Sequence, residues 1–394
     1  MKKACAVPSL TLLLSLFVAA CASAPTMSRS DAQFHDELFA PPSERIGAED
    51  LFALSPEMKQ YLTDRILPDA RARGNQLGLF DALYARGQLK LEYDSSRTFN
   101  AAQAFKARSG NCLSLVIMTA AFAREMGMPV TFQSAFTDES WGRSGNAHFF
   151  IGHVNVTLGR AAFHTSKQTN LVIHREENDL TIDFLLPLEV RGLNTRIIEE
   201  ATIVAMYLNN RAAESFAEEK LDDAYWWARA AIAQDPRFTS AWNTLGVIYR
   251  RHGNLVEAQR TFAYAMELQP RNPRVMSNMV LVLNDLGRTA EAGELSRKLA
   301  LIDPDPAFSF FMEGMVAMRK GDFGVARDLF EREVRRAPYY HEFHFWLAAA
   351  YIGLGNIERA QAELASAMQT STTRSARDLY AAKLDRIKSL NLQQ

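Results

Sequence analysis

Cysteine is scarce in this chain: three residues in 394, at positions 5, 21 and 112. So few exclude a disulfide framework and a cysteine-rich metal site. An excess of one charge is missing as well, since 44 Lys and Arg stand against 45 Asp and Glu. Without a basic surplus there is no electrostatic footing for nucleic acid. No apolar run is long enough to span a bilayer, because the N-terminal one, Leu10 to Ala20, falls well short. No cofactor is implied. No metal is expected either: His148 and His153 are five apart, with no carboxylate at ligand spacing. What remains is a composition with 48% hydrophobic and 23% charged residues, usual for a folded soluble chain, with length for two domains.

Lys2 and Lys3 ahead of that short apolar run, which closes on small residues, form a secretory signal. Its end, Val18-Ala19-Ala20-Cys21, resembles the lipobox of bacterial lipoproteins. That resemblance implies cleavage after residue 20, acylation of Cys21 and attachment to a membrane through several acyl chains. Ala22 rather than Asp after the cysteine implies the outer membrane, facing the periplasm. With Cys5 removed and Cys21 lipidated, Cys112 is left as the one free thiol. Residues 21–50, with Pro41-Pro42 and no sustained periodicity, read as a tether.

Cys112 begins an apolar segment that runs to Met126 and is stopped by Gly127 and Pro129, the pattern of a buried helix. Backbone N–H groups at a helix start favour thiolate over thiol, which is how nucleophilic cysteines are made; the plainer alternative is a small buried side chain. Ahead of it, Ser55-Pro56-Glu57 opens a helix, and further helical segments cover Leu77 to Tyr84 and Thr98 to Ala107. Beyond Gly127 come extended runs: Pro129 to Phe136, Ala147 to Leu158, Asn170 to His174 and Leu180 to Leu185. Period two places Val154, Val156 and Leu158 on one face of their strand and His153, Asn155 and Thr157 on the other, away from the core. Asp183 takes the polar face of its own strand, so an acid and an imidazole can sit side by side. His148 has the opposite parity, and His164 and His174 fall in the intervening loop and hairpin.

Residues 50 to about 190 resemble the transglutaminase-like superfamily, in particular its bacterial members fused to tetratricopeptide repeats. The matching residues are Phe105, Arg108, Gly110-Asn111-Cys112, then Ala123 to Val130, His153 to Val156 and Ile182-Asp183-Phe184. The resemblance implies an α+β papain/transglutaminase-like domain over 51–195, with Cys112 as nucleophile, His153 as general base and Asp183 orienting the imidazole. The family more often has Asp at the position of Asn111. Its His-to-Asp separation is shorter than the 30 residues here, which implies an inserted hairpin between Phe163 and Asp179. The Cys112 backbone N–H is one oxyanion donor; Tyr93, Gln103 and Trp141 are candidates for a second.

From about residue 205 the chain repeats. Pro236, Pro270, Pro304 and Pro338 recur every 34 residues, and Ala224, Ala258, Ala292, Ala326 and Ala360 share that period. One unit shows the tetratricopeptide pattern nearly whole: Trp242, Leu245, Gly246, Tyr249, Ala258, Phe262, Ala265 and Pro270. Small Gly246 and Ala258 let two helices approach, the large side chains fill the space between them, and Pro270 stops the second helix. Five repeats over 205–374 make an all-α TPR solenoid, and 375–394 supply a capping helix and tail. Trp226, Trp227 and Trp346 are read as packing residues. The expected partner is a protein or peptide in the TPR groove. Two functions follow: a lipid-anchored cysteine peptidase, amidase or acyltransferase acting on an amide bond, or a non-catalytic adaptor lipoprotein with a vestigial transglutaminase-like domain.

Overall fold

The computed structural model describes residues 33–85, 88–89, 91–136, 141–144, 147–150, 153–159, 165–167, 172–176, 179–184 and 194–391. Residues 1–34 form one unit and His35–Gln394 another, and the account below concerns the second. The signal segment, Cys21 and His164 lie outside the described residues, as do the side chains of Trp141, His148 and His174. Among the described residues, no helix is long and apolar enough to cross a membrane.

Helix α1 (Pro56–Tyr61) starts where Ser55 Oγ accepts the Met58 N–H at 3.3 Å and proline occupies the first helical position. Helices α2 (Leu67–Arg73) and α3 (Asn75–Tyr84) follow. A short parallel pair, β1 (Glu92–Tyr93) and β2 (Ser109–Gly110), flanks helix α4 (Ala101–Ala107). This helix begins three residues later than the sequence pattern suggests. Asn100 and Gln103 form a reciprocal capping box, and Thr98 is engaged elsewhere. Helix α5 (Cys112–Glu125) is buried at every position from Cys112 to Ala123, as its near-continuous apolar content requires.

Eight strands come next: β3 (Val130–Phe136), β4 (Trp141–Ser144), β5 (Ala147–Phe150), β6 (His153–Leu158), β7 (Thr165–Lys167), β8 (Val172–Glu176), β9 (Asp179–Asp183) and β10 (Asn194–Ile198). Six of them form an antiparallel sheet in the order β10-β3-β6-β9-β8-β7, while β4 and β5 pair separately. The run read as one strand over 147–158 is therefore two strands in different sheets. β7 and β8 make a hairpin within the stretch from Phe163 to Asp179. In β6 the register sets Val156 opposite both Phe132 and Ile182, an apolar face, and sets Asn155 opposite Gln133 and Thr157 opposite Thr181, a polar one. All six residues of β6 are buried, so the polar face is enclosed rather than solvated.

Ten further helices pair in succession: α6 (Glu200–Ala217) with α7 (Leu221–Gln234), α8 (Thr239–His252) with α9 (Leu255–Leu268), α10 (Pro273–Asp285) with α11 (Thr289–Ile302), α12 (Ser309–Lys320) with α13 (Phe323–Arg336), and α14 (His341–Gly353) with α15 (Ile357–Thr370). Helix α16 (Arg374–Asn391) packs on α15. Trp242, Tyr249 and Phe262 are wholly buried between α8 and α9, each contributing about 2 kcal/mol or more of apolar burial. Both ends of this array touch the segment just before α4. Glu214 of α6 accepts the Thr98 N–H, Thr372 O accepts the Ser95 N–H at 2.9 Å, and Arg374 pairs with Glu92 at 2.7 Å.

Candidate functional site

The site begins with how the chain holds Cys112. Gly110 precedes the helix where an added Cβ would lie 2.7 Å from Ser114 Cβ, so only glycine fits without a shift. Asn111 is the N-cap, and its Oδ1 accepts both the Ser114 N–H at 2.9 Å and the Ser114 hydroxyl at 2.8 Å. Its Nδ2 donates to Thr98 Oγ1 at 2.8 Å, and Ser114 Oγ accepts the Phe99 N–H at 2.8 Å. Asn111 thus caps α5 through its oxygen and donates to Thr98 through its nitrogen. Cys112 occupies the first helical turn as a free thiol, 3% exposed.

His153 and Asp183 are brought together from β6 and β9, with His153 Nε2 2.7 Å from Asp183 Oδ1. Both side chains are almost wholly buried, at 2% and 3% exposure. Burial opposes a charge on the imidazole, but the Asp183 carboxylate, through its charge and its hydrogen bond, overrides that. Together with nearby Cys112, it pushes the His153 pKa up to about 10. Among the described residues, Nδ1 of His153 is buried with no hydrogen-bond partner. The three residues singled out by the sequence therefore meet in one buried cluster at the start of α5.

Sequence parity placed His153 on the face away from the core, and the structure covers that face. Beside the pair, Thr157 Oγ1 lies 2.7 Å from Thr181 Oγ1 and accepts from Gln133 Nε2 at 3.2 Å. The side-chain oxygens of Gln133 and Asn155 are buried without partners among the described residues. Sequence reading placed Asn155 on the histidine face without giving it a role and passed over Gln133, which the register sets opposite it. It also passed over Thr98, whose partners lie 13 residues away in Asn111 and 112 away in Asn210. Of the second-donor candidates, Gln103 already uses its side-chain oxygen in the capping box, and Tyr93 sits on β1 opposite Gly110. Among the described residues, no cluster of three or more potential metal ligands occurs.

The repeats carry a second set of polar contacts. Residues His35 to Glu44, inside the span read as tether, lie along α7 and α8. Tyr225 Oη accepts the His35 N–H at 3.0 Å, Asp222 accepts the Ala40 N–H at 2.9 Å, and Asp223 accepts both the N–H and the hydroxyl of Ser43 at 2.6 Å. Phe39 stacks on Tyr225, with ring centroids 3.9 Å apart. Trp226 and Trp227 are more than packing, since their indole N–H groups donate to Ala40 O at 2.7 Å and Glu44 Oε1 at 3.0 Å.

Comparison with known proteins bears on the repeats. A tetratricopeptide repeat family model matches residues 311–376. The heat shock protein sti1 homolog of Schizosaccharomyces pombe is 29% identical over 153 residues, which is 37% of this chain and 24% of that protein. The chain thus spans about a quarter of the length of that curated relative. Among solved structures, YrrB, described as a TPR protein with an unusual peptide-binding site, is 20% identical with a TM-score of 0.25, over 45% of this chain and 92% of its own. TTC0263 of Thermus thermophilus is 17% identical with a TM-score of 0.31, over 46% of this chain and 98% of its own. The helical array of this chain is built of tetratricopeptide repeats, a module for binding proteins and peptides.

Proposed function

We propose that this is a lipid-anchored cell-envelope protein whose transglutaminase-like cysteine site acts on an amide bond of a protein or peptide held by the repeats. The observation that carries the reading is the buried His153–Asp183 pair at 2.7 Å beside a thiol in the first turn of a helix. Cys112 Sγ attacks the carbonyl carbon, the C–N bond breaks, and the leaving nitrogen takes the proton held by His153. Water or an amine then releases the acyl group from sulfur, giving hydrolysis or acyl transfer. Asp183 holds the imidazole in place and stabilises its charge. Acylation at Cys21 and residence at the outer membrane complete the reading, resting on Val18 to Ala22.

A second reading, an adaptor lipoprotein whose thiol domain is inert, draws on the near-complete burial of Cys112 and His153. Alkylation of Cys112 by iodoacetamide across pH, in the chain lacking residues 1–21, separates the two. The cysteine enzyme reacts fast well below the usual thiol range, and both His153→Ala and Asp183→Asn slow it by at least about tenfold. A thiol that reacts slowly in all three proteins, or only after denaturation, establishes the adaptor instead.

A further inference from the structure

We propose that Thr98 is a positioning residue for the Cys112 thiol, and that the first repeat helix holds Thr98 in place, so that the repeats complete the thiol site. The proposal rests on the cysteine-enzyme reading above. Thr98 is 2% exposed and precedes α4, outside any regular element. Its hydroxyl oxygen accepts from Asn111 Nδ2 at 2.8 Å and from Asn210 Nδ2 of α6 at 3.2 Å, using both lone pairs. Its backbone N–H donates to Glu214 Oε1, also of α6, at 2.6 Å. Glu214 is fixed in turn by Arg211, which reaches back to Glu44 at 3.2 Å.

The consequence is mechanical. The Asn111 amide is gripped at both ends, Oδ1 by the start of α5 and Nδ2 by Thr98. Its torsion, and with it the backbone where Cys112 enters the helix, cannot turn freely while Thr98 stays put. Displacing a nucleophile by about 1 Å costs up to a hundredfold in rate. Two of these three hydrogen bonds to Thr98 come from α6, so its position is set by α6 together with the thiol domain.

Eight full-length proteins test this: wild type, Thr98→Val, Thr98→Ser and Asn210→Ala, and the same four with His153→Ala added. The readout is the iodoacetamide rate at Cys112 together with the melting temperature. Thr98→Val, which keeps the shape and removes the acceptor, lowers the rate by about threefold to tenfold. Thr98→Ser restores it to within about twofold, and Asn210→Ala falls between them. In the His153→Ala background none of the three changes the rate further, because there is no activated thiol left to position. A Thr98→Val protein with a lowered melting temperature but wild-type reactivity overturns the proposal, as does an equal slowing in both backgrounds. Should Thr98→Val not fold, Asn210→Ala carries the same test, since it removes a single donor from outside the thiol domain. If His153→Ala by itself reacts as fast as wild type, the cysteine-enzyme reading fails and this proposal falls with it.

Discussion

His153 carries a charge that burial alone would strip from it. Its pKa is raised in the folded protein to about 10, against the Asp183 carboxylate, while an unfolded chain returns it to about 6.5. Between those two values the folded state keeps a proton that the unfolded state has released, so stability falls as pH rises through the window and is fully present below it. Melting temperature should therefore decline from about pH 6.5 towards pH 10 more steeply in wild type than in Asp183→Asn, where the folded imidazole loses its anionic partner. Tyrosine and lysine titrations contribute equally to both proteins and drop out of the difference. Parallel profiles through that window would show that the pair does not hold the charge. Residue types at three positions were legible in sequence because each has a local signature: a cysteine before an apolar helix, and a histidine and an aspartate on the polar parity of their strands. The enclosure of that polar face was not, because parity fixes a side chain's direction and says nothing of what lies over it.

From the second repeat on, helix pairs follow one rule of size, whereas the first sets Ala212 against Ala228. Where the first helix offers Gly246, an added Cβ would stand 2.6 Å from the Phe262 ring of the second, and Gly314 meets Phe330 in the same way at 2.5 Å. At the equivalent positions, 34 residues on in each case, Val280 is matched by Ser296 and Ala348 by Leu364. The degenerate repeats thus exchange volume between partners without losing the fit. Gly246→Ala should cost about 1–3 kcal/mol through overpacking. Adding Phe262→Leu, the pairing used by Ala348 and Leu364, should recover about 1 kcal/mol relative to the sum of the single changes. Urea unfolding of the two singles and the double measures this, and strict additivity would sink it. His344 shows the same economy in polar terms. It stands where Trp242 stands, and its Nε2 lies 2.8 Å from Pro338 O as Trp242 Nε1 lies 2.9 Å from Pro236 O, while Glu363 accepts at Nδ1. A 34-residue period therefore exposed the helices and their core even where the consensus residues are gone.

The molecule as a whole is tied together by contacts that no periodicity announces. Composition marked residues 21–50 as tether, yet from His35 the chain is fastened to the repeats by main-chain groups, and backbone N–H donors have no sequence signature. Phe39 is the side chain that closes this contact, 7% exposed, stacked on Tyr225 and 4.6 Å from the His252 ring. Phe39→Ala should weaken the docking by about 3 kcal/mol, raising the open population of residues 35–44 about a hundredfold. The repeats lose nothing of their own core. Limited proteolysis is the measurement: cleavage within 35–44 should accelerate by that order in the variant, with unchanged resistance from α8 to α15. Equal cleavage rates in the two proteins would mean that the main-chain bonds to Asp222, Asp223 and Tyr225 hold the segment without Phe39. Loss of resistance throughout would mean that the segment is part of the solenoid's core and not a strap laid across it.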